Sequence, residues 1–356
     1  MLMRLDPDRI ADAALRLLAA LTTLAFASFT LILFAGTWTA QAEAVCTGDD
    51  LLAIMERDDP AAYARLLDAS AATVNGEAML WQIEAPGGGV SHLYGTMHVT
   101  DPRIVELDAA ATAAFDASET LVIETTDILD PAAIMATMAE HPELMMFTDA
   151  TTLSSLLEEA DRERIEAAMN ERGLSLGAVD KMKPWMIAAM ATLPTCELAR
   201  KSAGAEILDV ALATRAKAAG IEIEGLETTA EQLGAMAALP LDFHMRALVE
   251  TIALGETIDD VIETMVVIHA RGEPGLFWPF FQAALPGDAS DGIAIAGFEQ
   301  SVIVDRNRTM AERMQPLLDA GGAFVAIGAL HLPGEEGVVA LLQEAGYSAT
   351  PLPSGD

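Results

Sequence analysis

Two segments near opposite ends of the sequence, Gly95-Thr96-Met97-His98 and Gly328-Ala329-Leu330-His331, share the pattern Gly-x-x-His. An apolar run precedes each: Val90-Ser91-His92-Leu93-Tyr94 before the first, Ala323-Phe324-Val325-Ala326-Ile327 before the second. Two carboxylates hold comparable places, Glu124 after Thr120-Leu121-Val122-Ile123 and Glu227 after Ile221-Glu222-Ile223-Glu224-Gly225-Leu226. Two imidazoles with one or two carboxylates suit a divalent ion, Mn, Co or Zn, that keeps a coordination position open for water. His98 and His331 are therefore candidate metal ligands, and Glu124 is either a third ligand or the base for bound water. A carboxylate closing an apolar strand must be solvated, paired or coordinated. Glu227 is a second catalytic candidate, or else a helix-capping acid ahead of Thr228 and Thr229. Arg306 lies on a predicted helix face, as a surface ion-pair partner or as an anion-orienting group turned to the site. Gly95 and Gly328 permit close backbone approach or unusual dihedrals just before each histidine.

The other histidines read as structural or exposed: His92 alternates with Tyr94 along a strand, His141 precedes Pro142 in a turn, and His244 and His269 fall in helical stretches. The methionines between Pro131 and Leu198 read as adaptable core filler rather than as soft metal ligands. Cys46 and Cys196 are the only cysteines. They are expected to pair, because both lie beyond an export segment, and no finger-like spacing makes them a zinc site.

Positioning these residues requires strands that alternate with helices. Leu80-Trp81-Gln82-Ile83 and Val90 to Tyr94 flank a Pro-Gly turn and read as two joined strands. A helix over about Pro102–Ala117, the strand ending at Glu124, a strand over Ile221–Glu227, helices over Thr229–His269 and a final strand at Ala323 complete the pattern. Between about 128 and 200 the chain reads as a large helical insertion, with Leu153, Leu156 and Leu157 at helical spacing. The fold expected is α/β, a central mixed sheet with flanking helices and that insertion, in a single domain over 45–356. In such sheets functional groups gather beyond the carboxyl ends of the strands, where distant parts of the chain can meet.

The amino terminus carries Arg4, Arg9 and Arg16 ahead of an uncharged run from Leu17 to Ala42. This is an export signal, either cleaved at Ala40-Gln41-Ala42 or Ala42-Glu43-Ala44, or retained as a membrane anchor, since the run is long enough to span a bilayer. The body of the protein is expected outside the cytoplasm, in the periplasm or tethered to the inner membrane facing it. With 20 Lys and Arg against 54 Asp and Glu, the net charge of −34 excludes nucleic acid as a partner, whose phosphates this field would repel.

The ordered set of motifs resembles the TraB/PrgY/GumN family, whose eukaryotic relatives include the TIKI-type membrane proteases. The resemblance rests on Leu93-Tyr94-Gly95-Thr96-Met97-His98-Val99, Leu121-Val122-Ile123-Glu124, Lys183-Pro184-Trp185, Gly225-Leu226-Glu227-Thr228 with Gln232, Asp305-Arg306-Asn307, and Gly328 to Gly334 with Gly337. Gly95 to Val99 and Gly328 to Gly334 most resemble the GumN branch. The resemblance implies metal-dependent peptide cleavage through His98, His331 and Glu124, with Arg306 and Asn307 at a further recurrent position. Bacterial members are tied to pheromone shutdown or polysaccharide gene clusters, and a more distant relative binds haem. The alternative is therefore a non-catalytic exported protein that sequesters a peptide or a cofactor such as haem.

Overall fold

The runs that end at the candidate residues do become strands, and the order in which they pair decides whether those residues can meet. The computed structural model describes residues 44–171, 173–284 and 297–353. The apolar run from Leu17 to Ala42 lies outside the described residues; among them, no helix is long and apolar enough to cross a membrane. Residues Val45–Asp356 group as one unit.

Strands β1 (Leu80–Glu84) and β2 (Val90–Thr96) form the expected antiparallel hairpin, followed by β3 (Thr120–Ile123), β4 (Glu222–Gly225), β5 (Ala323–Gly328) and β6 (Ser348–Leu352). The sheet order is β4-β3-β5-β2-β1-β6. The first four of these neighbours run parallel, whereas β1 is antiparallel to both β2 and β6, so the sheet is mixed. Successive side chains on a strand point to opposite faces. Leu80, Leu121, Ile123, Phe324 and Ala326 pack on one face with Phe115, Leu212 and Phe277. Trp81, Val122, Val325 and Ile327 pack on the other with Met310, Met314 and Val339. Burial on both faces is what the continuous apolar run of β5 demands.

Two expectations change in detail. The helix over Pro102–Ala117 is broken into Pro102–Val105 and Ala109–Asp116, because Asp101 and Asp108 each cap a new first turn. The edge strand β6 carries Pro351 and is only partly buried, so its composition gave no strand signal.

Between β3 and β4 the described chain forms a series of helices and no strand of the sheet, as the insertion required, and carries its own core of Leu153, Ile165, Met169, Leu176, Val179 and Ile187, joined by Leu248. Its last helix, Leu208–Ala219, is part of the main fold: Leu208, Leu212, Ala213 and Ala216 pack into the sheet core. Met145 and Met169 are buried in apolar surroundings, whereas Met135 and Met146 are exposed.

Cys46 and Cys196 form the expected disulfide, with Cα atoms 5.3 Å apart. It ties the start of the described chain to the helix Thr195–Ser202. That helix braces the first Gly-x-x-His segment. Glu197 is buried and accepts hydrogen bonds from the Thr100 N–H at 2.7 Å and hydroxyl at 2.9 Å, and Lys201 Nζ donates to the His98 carbonyl at 3.1 Å. Because the bond closes a loop of 150 residues, the double change Cys46→Ser, Cys196→Ser should lower unfolding stability by up to about 5 kcal/mol. Urea unfolding of the oxidised and double-serine proteins measures this. Equal midpoints would show that the cross-link adds no stability.

Candidate active site

All four parallel strands deliver a polar residue to the same edge of the sheet. Glu124 directly follows β3, His98 and Glu227 lie two residues beyond β2 and β4, and His331 ends a 3-10 turn, Ala329–His331, beyond β5. Two helices that lead into strands, Leu208–Ala219 and Asp305–Ala320, begin at this edge and present Asp209, Arg306 and Asn307 from their first turns. A π-helical turn at Glu299–Val304 precedes the second of them.

Both glycines serve close approach, and neither has positive φ. A Cβ on Gly95 would lie 2.9 Å from Leu332 Cδ1 and 3.0 Å from Ala329 Cα. On Gly328 it would lie 3.1 Å from Glu124 Oε1 and 3.3 Å from His331 Cδ2, so this glycine lets the acid and the imidazole share one space.

Glu124 is 6% exposed. Its Oε1 accepts the Gly328 N–H at 2.7 Å, and its Oε2 accepts Arg306 Nη2 at 2.7 Å and Gln232 Nε2 at 2.9 Å. Arg306 also donates to Glu227, from Nε at 3.0 and 3.1 Å and from Nη2 at 2.6 Å. Arg306 thus faces the site, with one guanidinium holding two buried carboxylates. Glu227 is not the cap of the following helix. Thr228 caps it, with Glu231 completing a capping box.

His331 is buried, and its Nδ1 lies 2.6 Å from Asn307 Oδ1. Because Asn307 Nδ2 donates to the Glu336 carbonyl at 2.8 Å, its Oδ1 is left as the acceptor for an Nδ1–H. The Nε2 lone pair then faces Glu124 Oε1 at 3.9 Å, with no proton between two acceptors. This is how a metal-binding imidazole is usually held, one nitrogen anchored and the other bare. His98 is half-exposed, and its Nε2 stands 3.6 Å from Asp209 Oδ2, an ion-pair distance rather than a hydrogen bond.

The charges divide the site in two. Burial pushes the His331 pKa down to about 4, with Glu124 opposing and Arg306 and His98 adding to the fall. Burial resists ionisation of Glu124, but its neighbours His331, Arg306 and His98 and the Gly328 N–H outweigh it and hold its pKa below the ordinary carboxylate value. Burial also opposes charge on His98, yet Asp209 and Glu124 raise its pKa to about 9.

Among the described residues, no three His, Cys, Asp or Glu side chains already stand together as a set able to hold a metal ion. The donors stand as two pairs, His331 with Glu124 and His98 with Asp209. Glu124 and Glu227 share one guanidinium and Asp209 faces only the His98 imidazole, so the three acids outnumber the one guanidinium at the centre. A divalent cation would balance them. In donor chemistry and in charge, the residues fit such an ion.

The structure brings together Glu124, Glu227, Arg306 and His331 and places His98 beside Asp209 on the same sheet edge. It adds Asp209, Gln232 and Asn307, whose roles were not visible in the sequence. Asp209 did leave a signal: with Leu212, Ala213 and Ala216 it occupies one helix face at the spacing of a buried stripe, where a carboxylate is out of place. The remaining histidines stay out of the chemistry. His269 Nε2 meets the Gly95 carbonyl at 2.9 Å, His244 Nε2 meets that of Met236 at 3.0 Å, and His141 pairs with Glu143.

Without metal, these shifts make stability depend on pH in two opposite ways. His331 is held below its ordinary 6.5, so its contribution is complete above that value and is lost as pH falls toward 4. His98 is held above 6.5, so its contribution is complete below that value and is lost as pH rises through about 9. Urea midpoints of the metal-free protein should therefore fall between pH 6.5 and 9, and His98→Asn should flatten that limb. An alkaline limb unchanged in His98→Asn would show that Asp209 does not hold a proton on His98.

No curated protein sequence and no solved structure matches the chain significantly. The sequence profile of the TraB/PrgY/gumN family matches residues 79–351, a span that begins at the first strand of the sheet, reaches into the last and includes every residue of this site. The chain belongs to the TraB/PrgY/gumN family.

Proposed function

We propose that the protein is an exported metal-dependent hydrolase acting on peptides, with its site at the carboxyl edge of the parallel strands. The observation that carries this reading is the pairing of the bare His331 Nε2, fixed by Asn307, with an ionised Glu124 on the edge that also carries His98. Peptides are the proposed substrate class through the resemblance to the TIKI-type proteases. The Cys46–Cys196 disulfide supports an oxidising compartment, in keeping with the export signal. The excess of acidic residues argues against a polyanionic substrate.

His98 and His331 would hold the ion, together with a carboxylate. Bound there, a divalent ion would lower the pKa of a water at its open position. The chain's own groups do the rest. Arg306 and the Gly328 N–H keep Glu124 ionised, and Oε1, turned toward His331, is the oxygen that accepts the water's proton. Glu227 keeps the guanidinium in place, and Asn307 fixes which imidazole nitrogen of His331 is free. Arg306 is then both the anchor of Glu124 and the side-chain cation that Glu124 and Glu227 share.

Elemental analysis and a peptide-library cleavage screen test the reading on wild type, His98→Ala, His331→Ala and Glu124→Gln, with circular dichroism to check folding. Either alanine variant should lose most bound metal. Glu124→Gln should retain it and lose turnover by a factor of about a hundred or more. Wild type that takes up no divalent ion after reconstitution would sink the proposal. Stoichiometric metal without cleavage of any peptide would favour the sequestering protein instead.

A further inference from the structure

Every carboxylate oxygen of Glu124 and Glu227 at the site meets a donor, but one oxygen of Asp209 does not. Asp209 is 3% exposed, in the first turn of the helix Leu208–Ala219. Its Oδ1 accepts a hydrogen bond from Thr96 Oγ1 at 3.2 Å. Its Oδ2 is buried with no hydrogen-bond partner among the described residues, and stands 3.6 Å from His98 Nε2. A bare carboxylate oxygen in the interior is costly unless something cationic reaches it. Helix capping does not account for it, because the side chain makes no cap hydrogen bond and the cap position is Ile207. No guanidinium neutralises it, in contrast to Glu124 and Glu227.

We propose that Asp209 is a metal ligand that binds the ion together with His98. This rests on the metal-dependent reading above. Two ligands at ordinary distances from one tetrahedral ion lie about 3.4 Å apart, and the separation of His98 Nε2 and Asp209 Oδ2 is close to that edge length. The first Gly-x-x-His segment supplies both halves of the arrangement, since Thr96 orients the carboxylate two residues before His98 supplies the imidazole. The carboxylate share of the ligand set falls to Asp209, which carries no guanidinium, and Glu124, already engaged by Arg306, is left to accept the proton.

The test uses Co2+ as the probe with the purified full-length protein, following uptake and the visible and near-ultraviolet absorption of the bound ion. Asp209→Asn keeps the shape and an oxygen for Thr96 but removes the charge, and should weaken Co2+ binding by about a hundredfold and alter the visible bands. Asp209→Cys supplies a thiolate at the same position and should introduce a sulfur-to-cobalt charge-transfer band that wild type lacks. A residue that only orients His98 would weaken binding about tenfold or more but produce no such band. Wild type that takes up Co2+, with Asp209→Asn unchanged in its visible bands and folded Asp209→Cys binding Co2+ without the thiolate band, overturns the assignment of Asp209 and leaves the metal-dependent reading standing. Wild type that takes up no Co2+ overturns both.

Discussion

Two carboxylates buried side by side repel each other and give up their hydration, and Glu124 and Glu227 share this sheet edge with the Arg306 guanidinium bridging them. The guanidinium donates to both, and its planar array of N–H groups is suited to the task in a way that an ammonium is not. Removing one partner of such a buried set typically costs about 3–5 kcal/mol, because the charge left behind is uncompensated. The rest of the site is arranged around this triad. Gln232 closes it from the helix that follows β4, the Gly328 N–H closes it from β5, and the Asp305–Ala320 helix supplies Arg306 and Asn307 from adjacent positions.

That adjacency links charge to protonation. Arg306 turns toward the acids and Asn307 toward His331, so one helix turn fixes both the ionised state of Glu124 and the free nitrogen of the imidazole. On the other side of the site, the helix Thr195–Ser202 is tethered by the disulfide and holds the backbone around His98 through Glu197 and Lys201. The two histidines therefore differ in kind. His331 is fixed, buried and neutral, while His98 is half-exposed and faces a carboxylate. A site with one fixed and one accessible imidazole can hold a ligand while leaving solvent a route to it.

Strands β2, β3 and β5 were legible in the sequence as short apolar runs followed by a polar residue and β4 as an alternating Ile-Glu run, and parallel pairing through helical crossovers brings their carboxyl ends together. His98, Glu124, Glu227 and His331 could therefore be placed at one edge without any known contact between them. What the sequence did not disclose were partners lying across a helix. His331 and Asn307 are 24 residues apart, and Thr96 and Asp209 are 113 apart, and pairings of that kind depend on how helices seat against the sheet. Glu227 was open to reading as a cap because an acid before a threonine-rich helix start is ordinary, and only its contact with Arg306 separates the two roles. The break at Glu106–Asp108 and the proline-containing strand β6 were hidden for local reasons, a second capping aspartate and a poorly apolar edge.

In the proposed site the two distant histidines serve one ion. Anomalous scattering from crystals grown with Co2+, measured on either side of the cobalt absorption edge, addresses it without reference to any substrate. A shared ion gives a single peak within coordination distance, about 2.0–2.2 Å, of Nε2 of both His98 and His331. No peak there, or a peak on surface carboxylates alone, would contradict it.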